Sequence, residues 1–327
     1  MTGFGGLSAF RTGISLLALG FLALFLLYPL WIVVEASLHS EATGGFTLAP
    51  YLKILSSRYY IGSLDNSLIA GALSMISATA IGVPLAFCLA RVDIPGKSLL
   101  MTLASLPLVL PSFVGAYALV LLFGHAGVIT TALRQIGLPV GDIYGMTGIV
   151  VVFTLTLYPY VLMPTLAGFK AIDVSVEEAA RNLGASRWRV FRTVLLPIVV
   201  PSVLAGALLV FIETLENFGV PSVLAEDRPF LSLDIFKLFA GESDSNPAAA
   251  GALSVLLVQR RYLAKRRFAT GARRTPPTIP LSRPWRLLAT VYGWGVVLLS
   301  LLPFGAVLVI SFLQFRGPVM KIGRAHV

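Results

Sequence analysis

Charge is scarce in this sequence. Only 12% of its 327 residues are Asp, Glu, Lys or Arg, against 57% hydrophobic, whereas a soluble domain carries about 25% charged residues. An ordinary water-soluble globule is excluded. Cysteine is nearly absent: Cys88 stands alone inside an apolar run, which excludes an internal disulfide and reads as a small buried hydrophobe. The three histidines, His39, His125 and His326, share no metal-ligand spacing, so no metal site is expected. There is no phosphate-cradling glycine loop, no nucleophile elbow and no facing carboxylate pair. No catalytic residue and no enzyme activity are expected.

What the chain does have is apolar length. A helix that crosses a bilayer needs about 20 apolar residues. Six stretches qualify: Ile14–Val34, Ser67–Ala90, Leu99–Phe123, Thr147–Phe169, Val194–Ile212 and Leu287–Leu313. The first is too long for a signal peptide and is followed by further spans, so it reads as an uncleaved helix. A seventh stretch, Ala248–Val258, has only 11 residues. The fold class expected is all-α, a polytopic helical membrane protein.

Basic residues orient it. With the N-terminus in the cytoplasm and the short stretch counted as a crossing, 17 of the 25 Lys and Arg residues face inside. Five lie in outside loops and three in the tail after Leu313. The outside loop Glu213–Pro247 holds seven carboxylates against two basic residues. This is the positive-inside pattern. Without the short crossing, the nine basic residues between Gln259 and Arg286 would lie outside. That segment also carries Pro276, Pro277, Pro280 and Pro284 and reads as a linker.

Prolines recur inside the spans, at Pro29, Pro84, Pro107, Pro111, Pro159, Pro164, Pro201 and Pro303. Each removes a backbone donor and bends a helix. Ordinary curvature and functional hinges are both consistent with this. The densest break is "SLPLVLPSFVG", around Pro107 and Pro111, and a pathway is expected near it.

One charged segment interrupts the apolar chain: "EEAARNLGASRWRVFRTVLLP", Glu177–Pro197. Ser175 and Glu178 have capping-box spacing. Val176, Ala179, Ala180 and Leu183 form one helical stripe. Gly184 suits a left-handed helix end, and Ser186 can cap a second helix that carries Trp188, Phe191 and Leu195 on one face. The expectation is two short amphipathic helices around a glycine bend, fixed to the next span. An interfacial connector with snorkelling arginines fits the same pattern.

Glu178-Ala179-Ala180, three residues, Gly184, nine residues, then Val194, one residue and Leu196-Pro197 resembles the EAA loop of ABC-importer permeases, with valine in place of the family's isoleucine. Around it, "LPLVLPSFVGAYALVLLFG", "YPYVLMPTLAGFKAIDVSVEEAARNLG" and "FIETLENFGVPSVLA" are similar to permeases of the ferric-iron type and equally to those for 2-aminoethylphosphonate. The resemblance spans about Gly20 to Leu313. It implies an importer permease fold in a bacterial inner membrane. The EAA loop would couple it to a dimer of cytoplasmic ABC ATPases, and a periplasmic binding protein would deliver the solute. ATP would be hydrolysed on the separate subunit, and no cofactor would be held by this chain. Ferric iron is the solute expected first, with 2-aminoethylphosphonate, thiamine or polyamine as alternatives. A secondary transporter without an ATPase is the rival of another class.

The same resemblance divides the chain. Residues 1–258 would be a first permease half, 259–286 a basic cytoplasmic linker, and 287–320 the first span of a truncated second half. A second half, fused or from a second copy, would complete the pathway. "KIGRAHV", Lys321–Val327, matches the in-frame translation of a short-read sequencing adapter and is expected to be foreign. For the pathway, the candidates are Pro107, Pro111, Tyr158, Glu213, Glu216 and Asn217. Carboxylates at membrane depth are expensive and often functional, so Glu213 and Glu216 either draw a cation or end a helix at the water interface.

Overall fold

The computed structural model describes residues 4–38, 45–138, 141, 143–241 and 282–312. Its regular elements are helices. Six are long and apolar enough to cross a membrane: Thr12–Leu38, Arg58–Arg91, Ser112–Gln135, Met146–Ala171, Trp188–Glu216 and Arg283–Val309. The short stretch Ala248–Val258, the linker 259–281 and the tail from Leu313 lie outside the described residues.

The chain divides into two compact units. One comprises Met1–Leu64 and Leu231–Lys265; the other comprises Asp65–Phe230 and Arg266–Val327. Arg283–Phe312 groups with residues 65–230 in the larger unit.

In the smaller unit, α1 (Phe4–Leu22) continues through a π-helical turn at Ala23–Leu27 into α2 (Tyr28–Leu38). Pro29 sits just past that turn, where a missing backbone donor favours such a widening. Leu17, Phe21, Phe25 and Trp31 on this helix are all exposed. A spanning helix can leave them so, since lipid tails are as apolar as the side chains. The short α3 (Ala49–Ser56) is tied to α2 by Tyr51, whose hydroxyl donates to Ser37 at 2.9 Å. α4 (Arg58–Arg91) begins here, and α13 (Leu231–Gly241) supplies Asp234. This buried carboxylate accepts from Tyr59 at 2.9 Å and from Ser63.

The larger unit holds the rest of α4, then α5 (Lys97–Ser105), α6 (Ser112–Phe123), α7 (Val128–Gln135) and α8 (Met146–Ala171). After these come α9 (Val174–Asn182), α10 (Arg187–Val190), α11 (Leu196–Glu216), α12 (Gly219–Leu224) and α14 (Arg283–Phe312). α8 is the central helix, with Ile149, Phe153, Tyr158, Leu162 and Phe169 fully buried. α11 lies along it at very short range. A Cβ on Gly206 would meet the Tyr160 carbonyl at 2.5 Å and the Val161 Cα at 2.7 Å. Small residues permit this approach of backbones inside a bilayer.

The stretch Leu99–Phe123, expected as one span, is broken. α5 stops at Ser105, a single 3-10 turn covers Leu106–Leu108, and Pro111 is extended with ψ 131° before α6 starts. Two prolines four residues apart leave too few backbone donors to carry a continuous helix between them. α14 closes over this region. Tyr292 donates to the Ile81 carbonyl at 2.8 Å, and Trp294 donates to the Pro95 carbonyl at 3.2 Å.

Candidate functional site

Two places in the larger unit gather the candidate residues. The first is the charged segment between α8 and α11. α9 begins earlier than the capping-box reading places it. Asp173 is the N-cap and accepts from the Ser175 amide at 3.0 Å. Only Ile172 separates Asp173 from Ala171, the last residue of α8, so the chain turns at once from one helix into the next. Gly184 takes the left-handed conformation, φ 83°, and its amide closes on the Arg181 carbonyl at 2.8 Å. Ser186 accepts from the Arg189 amide at 3.3 Å and opens α10. A π-helical turn, Phe191–Leu195, then leads into α11. Leu195 is buried, Val194 and Leu196 are half-buried, and Pro197 is exposed in the first turn of α11.

The orientation of α9 is the opposite of a soluble amphipathic helix. Its apolar stripe points outward: Val176 is 42% and Leu183 89% exposed. Ala179 is exposed and Ala180 half-buried. The inward side is polar. Glu177 is 6% exposed and pairs with Arg91, the last residue of α4, at 2.5 Å. Successive helix residues are about 100° apart, so Glu177 points in and Glu178 points out to the surface. The sequence reading singled out Glu178 and missed Glu177 and Arg91. Helical phase does not separate the two glutamates in the sequence, because Glu178 lies at least as far round from the apolar stripe as Glu177 does.

Beneath the segment lies an apolar cavity of about 450 Å³, lined mainly by Val83, Pro84, Phe87, Phe169, Trp188 and Phe191. Its aromatics are ordered against one another. Phe87 meets Phe169 and Phe191 edge-on at 5.6 and 5.4 Å, and Trp188 stacks on Phe191 at 5.5 Å. Basic groups gather at this end of the helices. Burial, reinforced by the nearby Lys170 charge and opposed by Asp93, lowers the pKa of Lys97.

The second place is a small polar cavity of about 150 Å³ beside the Pro107–Pro111 break. It unites three of the six pathway candidates, Pro107, Glu213 and Asn217, with Ser112, Thr156 and Tyr160. Asn217 donates to Ser112 at 2.5 Å and accepts from the Val220 amide at 3.0 Å, which locks the start of α6 to the end of α11. Tyr160 and Glu213 line this cavity together. Pro111 starts α6 without lining the cavity, and Glu216 is exposed. Tyr158 is elsewhere. It is fully buried, and its hydroxyl lies 3.3 Å from both the Ala104 carbonyl and the Ser300 hydroxyl. Two residues along a helix turn through about 200°, so Tyr160 faces the cavity and Tyr158 the packed core. Among the described residues, no three His, Cys, Asp or Glu side chains converge as a metal site.

Spanning helices around a proline-broken segment, with a helix–bend–helix displaying an uncovered apolar stripe at one end, define a membrane transport component. Residues 78–259 match the family model described as binding-protein-dependent transport system inner membrane component, and the chain belongs to that family. It is a permease subunit of an ABC importer and not an enzyme. It is 31% identical to the molybdate/tungstate transport system permease protein of Thermococcus kodakarensis, over 67% of this chain and 84% of that one. It is 38% identical to the molybdenum transport system permease protein of Haemophilus influenzae, over 49% of this chain and 69% of that one. A putative 2-aminoethylphosphonate transport system permease protein of Salmonella paratyphi A is 28% identical, over 80% and 93%. In fold, the chain is similar to a chain of a bacterial alginate ABC transporter crystallised with an alginate-bound periplasmic protein. That likeness has a TM-score of 0.61 and 19% identity, over 79% of this chain and 96% of that one.

Proposed function

We propose that this permease imports a small oxyanion, of the molybdate, tungstate or phosphonate kind, driven by an ABC ATPase that docks on α9. The observation that carries the docking is the inverted amphipathicity of α9. An outward stripe of Val176, Ala179 and Leu183 beside a surface Glu178 is a surface built to be covered. The EAA spacing of Glu178, Ala179, Ala180, Gly184, Val194, Leu196 and Pro197 supports a cytoplasmic ABC ATPase as that cover. With that cover, the N-terminus and the basic loops lie inside, in keeping with the positive-inside rule. A periplasmic binding protein delivers the solute at the opposite face, and ATP is hydrolysed on the separate subunits.

The oxyanion reading is supported by the names of the relatives and by the cavity. Hydroxyls of Ser112, Thr156 and Tyr160 and the amide of Asn217 outnumber its one carboxylate. Glu213 shares the cavity wall with Tyr160, and its role in this reading is to position that tyrosine. A second reading, a cation such as ferric iron, is favoured by the two carboxylates Glu213 and Glu216 within one turn of α11. The test is uptake into vesicles carrying the permease with its ATPase and binding protein. ATP-dependent accumulation of molybdate or 2-aminoethylphosphonate supports the proposal. Accumulation of ferric ion alone overturns the oxyanion reading, and no ATP-dependent uptake of any of these overturns both.

A further inference from the structure

The buried pair Arg91–Glu177 has no place in the docking surface or in the polar cavity. Arg91 is 1% exposed, and its Nη2 lies 2.5 Å from Glu177 Oε1. By hydrogen-bond geometry Arg91 Nε and Nη2 and Glu177 Oε1 are all without a partner among the described residues, so the close ion pair itself is the attachment of this guanidinium. Taking two charges out of water is expensive, and such pairs add little net stability. Their best-attested use is to fix one arrangement against others. Here the two partners sit at two helix ends. Arg91 is the last residue of α4, and Glu177 is in the first turn of α9. Each charge complements the dipole of its own helix, cation at the C-terminus and anion at the N-terminus. The pair therefore joins the end of a spanning helix to the start of the docking helix.

We infer that Arg91 and Glu177 are positioning residues that carry displacement of α9 into α4, with Pro84 as the flexible point. Pro84 lies seven residues before Arg91, inside α4, and leaves the Ala80 carbonyl without its helical donor. Beyond it, the last two turns form a lever of about 10 Å. That lever is gripped at its tip by Glu177 and along its side by Phe87 against Phe169 and Phe191. A push on the outward face of α9 thus reaches α4 through a close, charge-specific contact. Without it, the push is dissipated in sliding over the apolar cavity.

This inference rests on the ATPase-docking reading, and its test separates the two. In the transporter reconstituted with its ATPase and binding protein, Glu177→Gln keeps shape but removes the charge. Uptake per ATP hydrolysed should fall about tenfold, while membrane level, ATPase co-purification and ATP hydrolysis stay at wild-type values. Arg91→Met should do the same, and the double variant should be no worse than the worse single, because the two act as one unit. Arg91→Lys, which keeps the charge, should recover most of the coupling. If Arg91→Met does not reach the membrane, Glu177→Gln alone decides. The inference is overturned if Glu177→Gln keeps uptake per ATP at the wild-type value, or if uptake and hydrolysis fall in parallel as a packing lesion would make them. A wild-type complex without ATP-driven uptake would instead sink the docking reading itself.

Discussion

At the scale of single residues, two positions convert geometry into testable behaviour. Gly184 holds φ 83°, yet a Cβ there would meet no neighbour within 4 Å. The penalty for any other residue is therefore backbone strain alone, about 1–2 kcal/mol. Gly184→Leu should open the bend between α9 and α10 and weaken co-purification of the ATPase, with insertion into the membrane unchanged. Unaltered co-purification and uptake would show that the bend angle is irrelevant to docking. Glu213 discriminates between solutes. For an oxyanion, Glu213→Gln retains a side-chain oxygen for Tyr160 and removes a repelling charge, so uptake should hold or rise. For a cation the same change should cut uptake about tenfold, in line with loss of one charge-assisted contact. Initial uptake rates of molybdate and ferric ion through the variant decide it.

At the scale of elements, the organising contact is α11 on α8. The Gly206 site has no room for a methyl group because the obstructing atoms, the Tyr160 carbonyl and the Val161 Cα, are backbone. Gly206→Ala should separate the two helices and destabilise the unit by about 1–3 kcal/mol. Thermal unfolding in detergent measures this, and an unchanged midpoint would mean that the helices part without loss. Because Tyr160 and Glu213 sit on these same two helices, the variant should also disturb the polar cavity. The broken segment α5–α6 belongs to this scale too. Its proline pair was legible in the sequence. Its partners across the cavity were not, since Glu213 and Asn217 lie about 100 residues further along the chain and only the packing of α11 on α8 brings them near.

At the scale of the whole molecule, topology follows from charge. The positive-inside count predicts that a cysteine introduced at Arg267, in a Cys88-free background, is labelled by an impermeant maleimide only from the cytoplasmic side. Labelling from outside in intact cells would show that Ala248–Val258 does not cross and that this basic segment breaks the positive-inside pattern. Some of the protein was readable from the chain alone, for a simple reason: membrane insertion, helix bends and left-handed glycines depend on local composition and backbone sterics. Six apolar spans, the break at Pro107–Pro111 and the bend at Gly184 are of this kind. The capping residue went astray by two positions because Asp173 and Ser175 both suit the N-cap position, and local preference ranks them nearly equal. Tertiary structure alone decided which of two adjacent glutamates is buried, which of two neighbouring tyrosines faces the cavity, and that Arg91 meets Glu177 across 86 residues of sequence. Those outcomes turn on the rotation of each helix about its axis, and that rotation is set by the surfaces it packs against.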